Sequence, residues 1–156
     1  LWVRDDWDSR NTLTPPDNAL VLRKNAQFIG VSPQCPPGHA FEDEPTPHIL
    51  AELATQIAKA YRADDDRVYL TGFSAGGLAA WQVAEQTPKR WAAIVPLSCR
   101  LSNDPAKTVQ ALKDMPIYLG TGTEDWALPS CQQWHEALKI AGHSNFRAPE
   151  GRLTVR

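Results

Sequence analysis

Apolar residues recur along this chain with two different periods, and the two periods alternate. Residues 27–32 and 91–96 are short, nearly continuous apolar runs, which are typical of strands covered on both faces. Residues 47–61 instead repeat an apolar residue every four positions, the period of a helix with one buried stripe. The same patterns predict further strands at 68–71, at 117–120 and from 146, and further helices at 75–86, from 104 and at 130–140.

This alternation of strands and helices predicts the fold class. Strands and helices that follow one another in turn are typical of an α/β fold with a mostly parallel sheet and helices on both faces. A chain of 156 residues fits one domain, so we assign residues 1–156 to a single domain. Within it, residues 1–24 show neither period and are predicted to be irregular.

Two of the predicted helices carry signals at their first turn. Thr46 is a suitable N-cap, and Pro47 suits the first helical position because its missing N–H has no partner there anyway. Ser130 and Gln133 have the spacing of a capping box. The side chains predicted to form the buried stripe of the first helix are Ile49, Leu50, Leu53, Ala54, Ile57 and Tyr61.

The strand at 68–71 leads into a motif that suits a catalytic serine. Residues 72–76 read Gly-Phe-Ser-Ala-Gly, and an alanine-rich helical pattern follows at once. A serine at the apex of such a strand-to-helix turn is held in strained backbone with its hydroxyl clear of the sheet. Gly72 and Gly76 leave room for the close approach of the backbone on either side. An ordinary glycine–serine turn is the alternative, but both flanks favour Ser74 as a nucleophile.

Residues 64–97 also resemble a known superfamily. The matching segments are Asp-Asp-Asp-Arg-Val-Tyr-Leu-Thr-Gly-Phe-Ser-Ala-Gly-Gly, then Trp81, then Thr-Pro-Lys-Arg-Trp-Ala-Ala-Ile-Val-Pro-Leu. They resemble the α/β-hydrolase superfamily, and within it bacterial esterases related to polyhydroxybutyrate depolymerases, feruloyl esterases and dienelactone hydrolases. The resemblance spans about residues 25–151. It implies the three-layer α/β-hydrolase fold, a nucleophile at Ser74, an acid after a later strand and a histidine later still.

The resemblance also bears on the shape of the site and on two aromatic residues. Many α/β hydrolases place a lid domain after the strand that follows the nucleophile. Here residues 98–113 hold only one helix, so we expect no lid domain and an open, shallow site. Such a site suits bulky substrates, either small-molecule esters or polymer esters. Trp81 and Trp91 fall where the family has core aromatics, and we interpret both as structural.

Asp125 is the candidate for the acid. It follows the strand at 117–120, at the end of a strand where open parallel sheets build their sites. Aspartate is also common in turns, and Glu124 is a neighbouring carboxylate, so both remain alternatives. The spacing of glycine, acid and proline, similar to the family, favours Asp125. Trp126 comes directly after it and either contacts the substrate or packs in the core.

The oxyanion hole is half visible in the sequence. The backbone N–H of Ala75 follows the nucleophile at a helix N-terminus and is predicted to be one donor. The family takes its second donor from a His-Gly loop after an earlier strand. Nothing before Asn25 resembles that loop, although residues 1–3 have the character of a strand end.

The catalytic histidine is not found where the family has it. The family places it after the last strand, in a motif like Pro-Glu-Gly-Gly-His, whereas this chain has Arg152 and Leu153 after Gly151. We therefore expect a chain that is incomplete or altered at both ends and that hydrolyses esters very poorly as it stands. His143 is the only fallback as a base, and a solvated helix end is the other interpretation of it. The remaining histidines are His39, His48 and His135.

Three functions remain open on the sequence. The first is a carboxylic-ester hydrolase that forms an acyl-enzyme on Ser74. The second is an α/β-hydrolase remnant or binding module that lacks the base. The third keeps the nucleophile but changes the bond, as a serine peptidase or an acyltransferase.

Composition narrows the class of partner. The net charge of −2 gives no electrostatic reason to expect nucleic acid, and no apolar run approaches the ~20 residues that span a bilayer. Residues 64–66 lack the glycine and distal glutamate of a calcium loop, and no other metal or phosphate motif occurs, so no metal or cofactor is implied. Oligomeric state and compartment stay open. The three cysteines share no metal-ligand spacing, and we expect buried thiols at Cys35, Cys99 and Cys131.

Overall fold

The computed structural model describes residues 2–3, 28–36, 38–41, 43–101, 105–143 and 146–147. Its centre is a five-stranded sheet in which every neighbouring pair of strands is parallel. The order of strands across the sheet follows the order along the chain. The strands are β1 (Trp2–Val3), β2 (Tyr69–Phe73), β3 (Ala93–Leu97), β4 (Ile117–Tyr118) and β5 (Phe146–Arg147).

In the described ranges of the chain, four helices pack around this sheet and confirm the predicted α/β architecture. Each of the connections after β2, β3 and β4 contains one of them, and short 3₁₀ turns at Asp65–Arg67 and Pro88–Arg90 lead into β2 and β3. Only one helix lies between β3 and β4 in the described part of the chain. The helices are α1 (Thr46–Tyr61), α2 (Ala75–Gln86), α3 (Pro105–Ala111) and α4 (Leu128–Ile140).

The predicted strand at 27–32 is wrong for the residues that the structure describes. Residues 28–33 belong to no strand, and the side chains of Phe28 and Ile29 are exposed. The edge of β2 that faces away from β3 pairs instead with β1, where Trp2 lies opposite Thr71. A strand covered on both faces needs neighbours that bury its side chains, and the side chains of Phe28 and Ile29 lack them. Within the predicted irregular segment 1–24, residues 2–3 form β1, and residues 1 and 4–24 lie outside the described residues.

Helix α1 is present as predicted, and Leu50 and Ala54 of its predicted stripe are buried, but Ile49 and Tyr61 are not. The exposed fractions of Ile49 and Tyr61 are 57% and 65%. The stripe of α1 that is buried has the same helical period and carries two alanines, which let α1 approach the alanine-rich α2 closely. Thr46 is the first helical residue, and Pro45, the N-cap, offers no side-chain hydrogen bond, so the predicted Thr46 cap is also wrong. The buried residues of α1 are Pro47, Leu50, Ala54 and Ala58.

Aromatic side chains fill the core between the sheet and the helices. Trp81 of α2 and Trp134 of α4 are both fully buried and meet edge to face, with ring centroids 4.7 Å apart. The Trp81 indole donates to Glu85 Oε1 at 2.9 Å, and the Thr108 hydroxyl donates to the same oxygen. Trp91 is buried as well, so both predicted structural tryptophans are confirmed. The three cysteines are free and buried, as predicted.

Candidate active site

Ser74 stands alone between the end of β2 and the start of α2. Its backbone has φ 55° and ψ −123°, a conformation that residues with a side chain rarely adopt. Such strain costs of order 1–3 kcal/mol and persists only where the surroundings enforce it. Here the Ser74 N–H donates to the carbonyl of Leu97 in β3 at 2.9 Å, and the carbonyl of Ser74 accepts from Gly77 and Leu78 of α2. The turn is thus fixed from both the sheet and the helix.

The glycines around Ser74 have a steric reason. A Cβ on Gly72 would lie 2.1 Å from the carbonyl oxygen of Gly76, a distance that no side chain tolerates. A Cβ on Gly77 would lie 2.9 Å from the Cys99 sulfur and 3.0 Å from the Leu97 carbonyl oxygen. The sequence predicted the close approach of Gly72 and Gly76 but not the role of Gly77, since the loop it touches is distant in sequence.

Ala75 begins α2 and carries the predicted oxyanion donor. The N–H groups in the first turn of a helix have no partner within the helix, and the helix dipole favours negative charge there. No described residue accepts a hydrogen bond from the Ala75 N–H. The group is therefore free to donate to an anion beside Ser74.

Asp125 lies in the loop between β4 and α4. Because all strands are parallel, this loop follows the carboxyl end of β4 and lies at the same edge of the sheet as Ser74. Strand β3 lies between β2 and β4. One carboxylate oxygen, Oδ1, accepts from the Ala127 N–H at 2.8 Å, while the Asp125 carbonyl accepts from Leu128 at 3.1 Å. The side chain is half-buried. Asp125 thus shapes the turn, and Oδ2 has no hydrogen bond to a described residue.

The neighbours of Asp125 in sequence differ sharply from it in burial. Glu124 is exposed in the turn that precedes it. Trp126 is 67% exposed, so the packing role considered for it is wrong. The indole face of Trp126 is open to solvent at the same edge of the sheet as the Ser74 turn.

Two thiols lie behind the Asp125 loop. Cys99 follows β3 and Cys131 lies in the first turns of α4, with the Cys131 sulfur 3.8 Å from the Cys99 carbonyl oxygen. Burial, and after it the nearby Cys131 and the Asp125 carboxylate, raise the pKa of Cys99 to about 12. Burial, followed by the Asp125 carboxylate, also raises the pKa of Cys131. Both are neutral thiols near pH 7, so neither is a nucleophile.

The predicted capping box of Ser130 and Gln133 is wrong. Helix α4 begins at Leu128, its N-cap is Ala127, and no side chain caps it. The Ser130 hydroxyl instead accepts a hydrogen bond from the Leu101 N–H at 3.2 Å. The cap signal was misleading because the hydroxyl has a tertiary partner in the segment after β3. This contact joins that segment to α4 beside Asp125.

His143 lies at the opposite edge of the sheet from Ser74. Helix α4 runs back from the Asp125 loop to the amino end of β5, and His143 follows it. Its Nε2 is 2.9 Å from the Leu112 carbonyl oxygen, just before β4. Its Nδ1 is buried and has no partner in the described part of the chain. His143 is thus a half-buried structural residue and not the base.

The other histidines are also accounted for where the structure describes them. His39 and His48 are exposed, and His135 is half-buried in α4 and has an interaction partner. The position at which the family has its histidine, beside Arg152 and Leu153, lies outside the described residues. The Ser74 hydroxyl makes no hydrogen bond to any residue that the structure describes.

Metal sites and membrane-spanning helices are both absent from the described residues. Among them, no group of three or more histidine, cysteine, aspartate or glutamate side chains is placed to hold a metal ion. None of the described helices is both long enough and apolar enough to cross a bilayer.

Comparison with known families places this site in context. Residues 42–144, well over half of the 156, match the family model described as phospholipase/carboxylesterase. This range contains Ser74, Ala75, Asp125 and Trp126. Among curated protein sequences, none matches the chain significantly.

Solved structures of esterases share the fold. A thermostable esterase matches with a TM-score of 0.66 and 24% identity over 76% of this chain and 34% of its own. A bacterial esterase matches at 0.52 and 26% over 67% and 32%, and a ferulic acid esterase at 0.58 and 18% over 72% and 56%. At such identities the first and third likenesses show the fold alone. The chain spans about a third of the length of the first two proteins.

Proposed function

Since this chain belongs to the phospholipase/carboxylesterase family of α/β hydrolases, we propose that it hydrolyses carboxylic esters through an acyl-enzyme on Ser74. The observation that carries the proposal is the strained Ser74 backbone between β2 and α2. Strain at a single serine, enforced by hydrogen bonds from both sides, is typical of a residue whose hydroxyl must stand clear of the sheet. An ordinary turn has no need of it.

Each remaining group has a role in this reaction. The Ser74 oxygen attacks the ester carbonyl carbon, the alcohol leaves, and water then releases the acid from the acyl-enzyme. The Ala75 N–H donates to the oxyanion that forms in both steps. Asp125 orients and stabilises the base, the role of the acid in a serine triad. Among the described residues no histidine is assigned as that base.

The surroundings of the site support bulky esters as substrates. Only one described helix lies between β3 and β4, so no lid is built from that connection. Trp126 offers an exposed aromatic face beside the acid. Aromatic faces bind acyl chains and rings by apolar contact. Small-molecule and polymeric esters both fit an open site of this kind.

An impaired hydrolase or a binding module is the alternative, and the family match does not favour it. Because His143 is committed to Leu112 at the far edge of the sheet, the part of the chain that the structure describes offers no base for Ser74. A chain with a nucleophile and no base is an impaired hydrolase or a binding module. A serine peptidase or acyltransferase uses the same residues, and no observation favours either over an esterase.

The test is hydrolysis of p-nitrophenyl acetate by this chain and by a version extended with the residues that flank it in its natural reading frame. Each is compared with its Ser74→Ala variant, and mass spectrometry locates the acetyl group. We expect Ser74-dependent turnover by the extended version and a rate lower by ~10⁴-fold or more for the present chain, because a triad without its base loses at least that much. Hydrolysis by the extended version that survives Ser74→Ala would refute the proposal.

Asp125 is tested with a matched carboxylate. In the extended version, Asp125→Asn is expected to lower kcat by ~10³–10⁴-fold, since the base loses the partner that orients it. Glu124→Gln, one residue away and exposed, is expected to leave kcat within about twofold. Equal effects of the two variants would assign Asp125 to the turn alone.

A further inference from the structure

A single peptide group joins the two halves of the proposed site. The carbonyl of Leu97 accepts from the Ser74 N–H at 2.9 Å, and the N–H of the next residue, Ser98, donates to the Gly120 carbonyl at 2.7 Å. Both groups belong to the peptide bond between Leu97 and Ser98, which is planar and rigid. Gly120 leads into the loop that holds Asp125. The orientation of this one plane therefore relates the Ser74 turn to the Asp125 loop.

Ser98 holds this plane in an unusual conformation. Its φ is 47°, in the left-handed region that residues with a side chain seldom enter. The turn sends the chain from β3 towards α2, where the Cys99 sulfur packs so closely on Gly77 that a Cβ there would lie 2.9 Å from it. A continued extended strand at Ser98 would not make this turn. The left-handed residue is what lets β3 end against the Ser74 helix.

We propose that Ser98 is a positioning residue, whose left-handed backbone fixes the Leu97–Ser98 peptide group and with it the spacing of Ser74 and the Asp125 loop. The backbone and not the hydroxyl has this role, because the Ser98 hydroxyl makes no hydrogen bond to a described residue. The effect on catalysis rests on the proposed function, whereas the effect on the two hydrogen bonds does not.

Four substitutions separate backbone from hydroxyl. Ser98→Thr keeps the hydroxyl but adds a β-branch, which the left-handed region disfavours. Ser98→Gly and Ser98→Asn remove the hydroxyl but accept that region readily. Ser98→Ala removes the hydroxyl and has intermediate tolerance, so it also serves if the threonine variant does not fold.

The direct measurement is amide hydrogen exchange by ¹⁵N NMR. Ser98→Thr is expected to speed exchange of the Ser74 and Ser98 amides by about tenfold. The reason is that the β-branch adds to the left-handed penalty that the serine already bears. The Trp134 amide in α4 is the internal control and should change little. The glycine and asparagine variants should stay within about threefold of the wild type, and alanine should fall between.

The catalytic measurement is p-nitrophenyl acetate hydrolysis by the extended version. Ser98→Thr is expected to lower kcat about tenfold with KM within about twofold. Ser98→Gly and Ser98→Asn are expected to keep kcat near the wild-type value. Slow exchange in the threonine variant, or fast exchange in the glycine and asparagine variants, would overturn the proposal. If the wild type shows no Ser74-dependent turnover, the esterase proposal fails, and the exchange rates still decide the role of Ser98.

Discussion

At the residue scale, Cys99 shows how burial at the sheet edge affects the stability of the whole protein. Its thiol packs against Gly77 and is almost completely buried. Burial first, then Cys131 and Asp125, hold the pKa of this thiol at about 12 instead of 9.0. Above the unfolded pKa the unfolded chain releases the proton while the folded one keeps it. The folded state therefore loses stability as pH rises from 9 towards 12.

This sign gives a prediction for alkaline unfolding. The free energy of unfolding should fall between pH 9 and 11 more steeply in the wild type than in Cys99→Ala, by up to about 1.4 kcal/mol per pH unit. Urea titrations followed by tryptophan fluorescence at pH 8, 9, 10 and 11 measure both slopes. Other groups that titrate in this range are common to the two proteins and cancel. Parallel slopes would show that the thiol ionises freely in the folded state.

Single residues were predictable from sequence only where their reason is local. Gly72 and Gly76 are close in the chain, so the tight turn at Ser74 already implied their close approach. Gly77 meets Cys99, and Ser130 meets Leu101, across distances in sequence that no local pattern reports. Tertiary partners of this kind explain why the role of Gly77 was missed and why the predicted capping box was wrong.

At the element scale, the edge-to-face pair of Trp81 and Trp134 holds α2 against α4. Both rings are fully buried, and the Trp81 indole also has a hydrogen-bond partner in Glu85. The pair ties the helix that follows Ser74 to the helix that follows Asp125. Packing between helices thus supports the same two loops that the sheet edge holds.

Removing one ring of this pair is expected to be costly. Trp81→Ala should lower the free energy of unfolding by about 3–5 kcal/mol, because it leaves a large cavity and removes one of the donors to the Glu85 carboxylate. Trp126→Ala is the matched control, since that ring is exposed and its loss should change stability by no more than about 0.5 kcal/mol. Chemical denaturation followed by circular dichroism compares the two, and similar losses would contradict the packing described.

Elements were predicted better by their existence than by their faces. The period of α1 was correct, and Leu50 and Ala54 are buried as predicted, but only contact with α2 decides that Ile49 and Tyr61 stay exposed. The strand predicted at 27–32 is absent among the described residues, where Phe28 and Ile29 lack the burial that the apolar pattern implied. A hydrophobic pattern predicts that an element packs against other elements, but it does not identify those elements.

At the scale of the whole molecule, the two edges of the parallel sheet have different tasks. The Ser74 turn and the Asp125 loop lie at the carboxyl edge, whereas His143 bonds to Leu112 at the amino edge. The Ser74 turn and His143 are therefore at opposite ends of the strands. Chain order alone had left His143 as a fallback base, and parallel topology removes it.

This separation predicts the behaviour of a His143 variant. His143→Gln should leave any Ser74-dependent hydrolysis of p-nitrophenyl acetate unchanged within about twofold. It should lower the free energy of unfolding by about 1 kcal/mol where the bond to Leu112 weakens. Kinetics and denaturation on the same preparations give both values, with Ser74→Ala as the zero-activity reference. A tenfold or greater fall in the Ser74-dependent rate would restore His143 as a base.

The order of the strands across the sheet also affects how the chain is made. From β2 onwards each strand lies beside the one synthesised just before it, with one helix in between. Each addition closes a loop of modest length, which keeps the entropy of closure small. The sheet from β2 to β5 is therefore suited to assembly in the direction of translation, one strand and helix at a time. On the ribosome, the Ser74 turn would form before the loop that carries Asp125 has emerged.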